Sequence, residues 1–245
     1  MTKRPVLILG GNSDIGLAIA HRFAAEGYPI QLAARRLDEL EPEKSNFSLR
    51  HNVAVTLHRF DALEIDRIEA FYDGLPSMPG IVVCAVGLLG DQAEAERNPQ
   101  QARLVAETNF IGPTIALEAA ARRLSRLDGP SAIIGISSVA GDRGRAANYW
   151  YGASKAAFSE ALSGIRQKHA PDDLHVMTVK LGFVATKMTL GLDLPKFLTA
   201  SPDQISELIY KKYISKSHIV YPFIWRCIML LITNIPEKYF KKMKF

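Results

Sequence analysis

The chain has 245 residues, 48% apolar and 22% charged, with a net charge of +5. This composition excludes disordered, collagen-like and low-complexity classes, and the length suits one α/β domain. Two cysteines, Cys84 and Cys227, are too few for a disulfide framework and point to a reducing, cytoplasmic setting, while six histidines at no ligand spacing leave no metal site expected.

Lys3 and Arg4 precede an apolar run that is too short for the core of a signal peptide, so residues 6–9 are read as a first buried strand. A helix follows over 15–26, then strands at 30–33 and 53–58 and a helix over 65–75. A strand at 81–85 leads to a long helix over 99–120. Strands at 132–136 and 175–180 flank a helix over 151–169, and a helix over 203–212 precedes a last strand at 218–221. Strands that are apolar on every residue lie in a sheet covered on both faces. The fold class is therefore α/β, a single doubly wound Rossmann-type domain with a seven-stranded parallel sheet. Residues 187–200 have no clear period and follow the end of a strand, where ligands bind in such sheets; they are read as a substrate lid.

The first strand runs into a turn with Gly10 and Gly16. Gly10 permits the tight turn, Gly16 lets the helix pack close, and the backbone N–H groups of Asn12, Ser13, Asp14 and Ile15 are free to face a pyrophosphate. Asp14 is expected to turn away from the phosphates and cap the helix. After the second strand come Arg35 and Arg36, with no acid to bind a ribose 2′-hydroxyl. NADP(H) is therefore favoured as cofactor, and NAD(H) stays open. Tyr151 and Lys155, four apart, share one helix face, and Ser138 lies 13 residues before Tyr151 just after an apolar strand.

Together, the glycine turn and the Ser138, Tyr151, Lys155 pattern resemble the short-chain dehydrogenase/reductase family across roughly residues 5–222. The resemblance implies reduction of a carbonyl, or oxidation of a secondary alcohol, by hydride transfer. In it Tyr151 is the proton donor or acceptor, Lys155 lowers the tyrosine pKa and holds the nicotinamide ribose, and Ser138 fixes the carbonyl oxygen. Asn109 matches the fourth catalytic residue, which holds a water linking Lys155 to solvent. Asp61 and Ala62 match the pair beside adenine. Ala85 and Gly87 lie where the ribose approaches the backbone, and Val184 and Thr186 match the carboxamide contacts. The chain departs from the family pattern at Leu9, Asp14, Cys84 and Leu181. The resemblance also implies a homodimer or homotetramer and a small-molecule substrate. Tyr149, Trp150, Phe183, Met188 and Leu190 are candidates for the pocket wall.

Residues 211–245 hold eight Lys/Arg, Lys244 among them, against the single acid Glu237. Basicity confined to the tail speaks against nucleic acid as a partner. The reading divides the chain into a catalytic domain over 1–222 and an apolar, basic extension over 223–245. Residues 219–245 are broken by Pro222, Arg226 and Pro236, too short to span a bilayer but suited to a peripheral contact on the inner face of a membrane. The alternative is a terminal strand and helix that complete the sheet. The tail and the glycine turn together bear a weak resemblance to the decaprenylphosphoryl-keto-ribose reductase branch, whose substrate is a lipid-linked ketone. Two other readings stay open: a catalytically silent dinucleotide-binding redox sensor, and a membrane-docked adaptor.

Overall fold

The computed structural model describes residues 3–243; Lys244 of the basic tail lies outside the described residues, as do Met1, Thr2 and Phe245. In chain order the elements are β1 (Val6–Leu9), α1 (Asp14–Ala25), β2 (Ile30–Ala34), α2 (Glu41–His51), β3 (Val55–Arg59), α3 (Ile68–Asp73) and β4 (Ile81–Cys84). Then come α4 (Gln92–Ala95), α5 (Pro99–Ala106), α6 (Gly112–Leu124), β5 (Ser131–Ser138), α7 (Tyr149–Lys168) and β6 (Leu174–Leu181). The chain ends with β7 (Phe183–Val184), β8 (Thr199–Ala200), α8 (Pro202–Ile214), β9 (Ile219–Val220), α9 (Phe223–Asn234) and α10 (Glu237–Phe240).

Seven strands form one parallel sheet in the order β3-β2-β1-β4-β5-β6-β9. All four residues of β1 are fully buried. Val6 and Ile8 join the apolar cluster that includes Ile19 and Phe23 of α1, Phe47 of α2 and Ile209 of α8. Leu7 and Leu9 point the other way, toward Ile68 of α3, Leu117 of α6 and Leu162 of α7. Two-sided burial is why the strands read as unbroken apolar runs. Each fully buried side chain of this kind stabilises the fold by roughly 1.5–3 kcal/mol.

The strand order reverses between β1 and β4. The register Leu9↔Cys84 sets their carboxyl ends level, and the Ala85 N–H donates to the Leu9 carbonyl at 2.8 Å. A crevice opens at such a switch point, and it is where ligands bind in open α/β sheets. The helix expected over 99–120 is present as α5 and α6, joined without a break by a π-type turn at Glu107–Ile111. The lid region 187–200 holds two short 3₁₀ turns and ends in β8, which pairs with β7.

The helices α2, α4 and α10 went unread in the sequence, and α9 answers to the alternative of a terminal strand and helix. Only Phe47 of α2 is buried, so its apolar signal is a single residue. In the tail, α9 packs Trp225 and Met229 inward against Val139. Among the described residues no helix is long and apolar enough to cross a membrane.

Candidate active site

Gly10 has φ +88°, and a Cβ there would lie 2.9 Å from the Ala85 carbonyl carbon, so only glycine lets β1 turn beside the end of β4. The turn leads into α1, whose N-cap is Ser13: its hydroxyl accepts from the Gly16 N–H at 3.3 Å. This corrects the expectation for Asp14. It is the first helical residue rather than the cap, and its carboxylate reaches across to segment 187–200, accepting the Lys187 N–H at 2.6 Å. The physical reason is that a β-region residue must precede the helix to cap it, and Ser13 holds that conformation.

An outer cleft of about 300 Å³ runs along this turn, bordered by Gly10, Asn12, Ser13, Asp14, Ile15, Arg35, Arg36, Asp61 and Ala62. The residues predicted for the pyrophosphate, adenine and 2′-phosphate therefore share one wall-to-wall cleft. The two arginines differ. Arg36 is paired with Glu39 at 2.7 Å, whereas Arg35 is exposed with no ion pair among the described residues. Asn12 donates to the same Glu39 carboxylate at 2.5 Å, and its Oδ1 is buried without a partner. Asp61 accepts the Leu63 N–H at 3.0 Å and so fixes the turn after β3. These features fit a dinucleotide: a glycine cradle, an unpaired cation at the far end, and an orphaned amide oxygen along the wall.

The cleft continues into an inner chamber of about 180 Å³ bordered by Ser138, Tyr151, Lys155, Val184 and Thr186, with Ala85 and Gly87 common to both. Ser138 ends β5, and its hydroxyl donates to Leu181 O at 3.2 Å and accepts from the Ala140 N–H at 3.1 Å. Lys155 is 3% exposed, and its ammonium donates to Ile136 O at 3.0 Å and Val86 O at 3.4 Å. Burial lowers its pKa to about 8, opposed by the Cys84 thiol nearby. Burial raises the Tyr151 pKa; a hydrogen bond with Ser138 and the charge of Arg145 pull it back down. Lys155 Nζ stands 5.9 Å from the Tyr151 ring centre. The phenol is thus buried beside a hydroxyl and near cationic charge that partly offsets the cost of ionising it.

Asn109 sits in the π-type turn and is fully buried. Its Oδ1 accepts the Leu88 N–H at 3.0 Å, and its Nδ2 donates to Leu88 O at 2.7 Å and Val105 O at 2.8 Å. A Cβ on Gly87 would be 3.4 Å from both Asn109 Oδ1 and Lys155 Nζ, so the two atoms converge behind Gly87. Gly16 lies beneath the turn rather than in the cleft, where a Cβ would meet Gly10 O at 2.8 Å. Thr186 joins the two compartments. Its N–H donates to Thr189 Oγ1, which donates in turn to Val184 O at 2.7 Å and holds the start of segment 187–200 beside the chamber.

Of the five candidate wall residues, Phe183 and Met188 border the chamber; Tyr149, Trp150 and Leu190 do not, and Leu190 is 85% exposed. Among the wall residues that the sequence reading did not single out, three bear on the chemistry. Trp225 comes from the tail, its indole donating to Leu198 O at 3.1 Å and standing against Phe183. Arg145 and Asn148, in the loop before α7, also border the chamber. Both fall in the spacer between Ser138 and Tyr151, where no periodic pattern singles out a loop residue.

The short chain dehydrogenase family model matches residues 4–194, and the chain belongs to that family. It is therefore an oxidoreductase acting on a CH–OH/C=O pair. An uncharacterized oxidoreductase of Mycobacterium tuberculosis is 30% identical over 243 residues, spanning 98% of this chain and 96% of that one. Among solved structures, a short-chain dehydrogenase from Sphingobium yanoikuyae in complex with NADPH has a TM-score of 0.81 at 21% identity, over 96% and 97% of the two chains. A bulky-bulky ketone specific alcohol dehydrogenase from Comamonas testosteroni has a TM-score of 0.80 at 21% identity, over 98% and 97%.

Proposed function

We propose that the protein is an NADP(H)-dependent carbonyl reductase in which Tyr151 delivers the proton to the carbonyl oxygen. The observation that carries this reading is the convergence of Ser138, Tyr151 and Lys155 on one chamber at the sheet's switch point. The Sphingobium relative in complex with NADPH and the unpaired Arg35 support NADP(H) over NAD(H).

The bound nicotinamide would supply the hydride. The outer cleft would hold the rest of the cofactor, with Arg35 on the 2′-phosphate and Lys155 near the nicotinamide ribose. Ser138 would donate to the carbonyl oxygen in place of its bond to Leu181 O. Tyr151 would pass its proton to that oxygen as charge builds there, and the Lys155 ammonium would stabilise the phenolate left behind. Asn109, beside Lys155 behind Gly87, would hold a water for reprotonation. Val184 and Thr186 would fix the carboxamide and so the exposed ring face.

The catalytic unit extends over 1–222, and 223–245 closes one wall of its chamber through Trp225. The complete Ser138, Tyr151, Lys155, Asn109 set weighs against a silent redox sensor or an adaptor. A homodimer or homotetramer in the cytoplasm is part of the reading. The tail carries a second element of it. On α9, Phe223, Ile224, Leu230 and Leu231 are exposed, and Lys238, Lys241 and Lys242 follow. Such a face suits peripheral contact with an anionic membrane and a lipid-held ketone.

The test is isotopic. With NADPH deuterated on the transferring position and a panel of ketones, deuterium is expected on the carbinol carbon of the product. A protein that binds NADPH and transfers no deuterium to any ketone would sink the reading.

A further inference from the structure

We propose that Arg145, seconded by Asn148, is a recognition site for an anionic oxygen group, a carboxylate or phosphate, carried by the ketone that the chamber reduces. This rests on the reading of Tyr151 as the proton donor and names the substrate class of that same site.

Five arginines among the described residues are not exposed. Four are committed. Arg22 pairs with Glu26 and Glu207, Arg123 with Glu69 and Asp73, and Arg143 with Glu237, while Arg166 donates to the Val176 and His218 carbonyls. The Arg145 guanidinium alone has neither an ion pair nor a hydrogen bond among the described residues, and its Nε is shut off from solvent with no acceptor. An unpaired guanidinium nitrogen held away from water opposes folding, because its lost hydration is not replaced. A ligand oxygen would replace it.

Asn148 repeats the pattern three residues on. It occupies the N-cap of the 20-residue helix α7, yet its side chain makes no capping bond and its Oδ1 is buried without a partner. Asparagine is among the best N-caps, so a side chain that declines the cap is free for another use. Its amide can turn over to bring Nδ2 donors to the same point.

The surroundings specify the sign of the missing group. No Asp or Glu borders the chamber, and its two charged residues are Lys155 and Arg145. Lys155 is directed at the Ile136 and Val86 carbonyls. Arg145 shares the chamber lining with the apolar side chains of Leu89, Val139, Phe183 and Trp225. The outer cofactor cleft does not include Arg145, so a cofactor phosphate there is not its partner. Arg145 and Tyr151 border the same chamber, so an anion held by Arg145 shares that chamber with the carbonyl. A guanidinium offers two parallel donors to a carboxylate or a phosphate.

The test uses the full chain with NADPH and rigid probe pairs: phenylglyoxylate, 3-acetylbenzoate and 4-acetylbenzoate, each against its methyl ester, with 4-acetylphenyl phosphate as the phosphate source. Two readouts run in parallel. One is the ratio of kcat/KM for acid and ester. The other is the ratio of dissociation constants from the enzyme–NADP⁺ complex, followed by tryptophan fluorescence, which needs no turnover. At least one anionic probe is expected to beat its neutral partner roughly 10- to 100-fold in both ratios, the span of a charged hydrogen bond or a bidentate pair. Arg145→Met is expected to bring the ratios close to one, and Arg145→Lys to keep part of them. Strength on the benzoates or on the phosphate tells which anion is used. Anionic probes that bind no better than their neutral partners would overturn the proposal, as would a preference that survives in Arg145→Met. Turnover retained by Tyr151→Phe would instead overturn the proton-donor reading, and the binding ratio would still decide the anion.

Discussion

The Asp14 carboxylate accepts the backbone N–H of Lys187 at 2.6 Å and lies 3.6 Å from the Lys187 ammonium, across 173 residues of sequence. Asp14 opens α1 beside the glycine turn, and Lys187 begins the segment 187–200 that the sequence reading takes as a lid. The pair therefore ties the start of that segment to the edge of the outer cleft. A hydrogen bond to a charged acceptor contributes about 1.5–3 kcal/mol, less here because Lys187 is largely exposed. Asp14→Ala is expected to speed tryptic cleavage of the lid several-fold, and Asp14→Asn, which keeps an acceptor oxygen, less so. Equal cleavage rates in the two variants and the parent chain would show that the contact does not hold the lid.

Arg35 and Arg36 are adjacent but not equivalent. Arg36 is spent on Glu39, so Arg35 is the cation available to a 2′-phosphate. Arg35→Ala is expected to raise KM for NADPH about tenfold or more, the loss of one charged hydrogen bond, and to move KM for NADH by less than about threefold. Arg36→Ala should have the smaller effect. Steady-state kinetics with both cofactors checks this, and equal losses for NADPH and NADH would remove the 2′-phosphate assignment.

Lys155 is held in the chamber against its own preference for water. Its pKa falls from 10.5 unfolded to about 8 folded, so between those values the unfolded chain binds more protons and stability rises with pH. Below pH 8 the penalty is complete, about 3 kcal/mol. Lys155→Met, similar in volume and apolar, is expected to raise Tm at pH 6.5 while abolishing turnover. Its advantage should shrink as the pH rises through 8 toward 10.5. Thermal melts across that range test it, and a variant less stable at pH 6.5 would contradict it.

Much of this arrangement was readable in the sequence. The central strands announced themselves because both faces of the sheet are covered there, leaving no polar alternation in runs such as Ile81–Cys84, whereas the edge strands β3 and β9 are only partly buried. Ser138, Tyr151 and Lys155 were readable because helix period and strand ends fix where such spacings fall. Arg145 was not, because its importance lies in what it fails to touch, and that depends on the loop path over 142–148. The Asp14–Lys187 contact spans the whole fold and has no local signal. The helix α9 was obscured because Arg226 and Thr233 interrupt its apolar run, although Trp225 and Met229, four apart, are the face it buries.

Gly182 shows how tightly the tail is fitted. A Cβ there would stand 2.0 Å from the Trp225 ring, so the indole lies directly on the backbone after β6. Gly182→Ala is expected to push Trp225 off this seat and destabilise the protein by about 1–3 kcal/mol, the usual range for overpacking. Tryptophan fluorescence should shift to the red as the ring gains solvent. An unchanged spectrum and Tm would mean that α9 does not close the chamber wall.

The most direct measurement is single-turnover hydride transfer in Tyr151→Phe with NADPH and a ketone that the parent chain reduces. Removal of the phenol oxygen takes away the proton donor and leaves the cleft walls in place. The rate is expected to fall about 10²- to 10⁴-fold, the range for loss of a general acid, with the NADPH dissociation constant changed less than about threefold. A rate within tenfold of the parent would contradict Tyr151 as the proton donor.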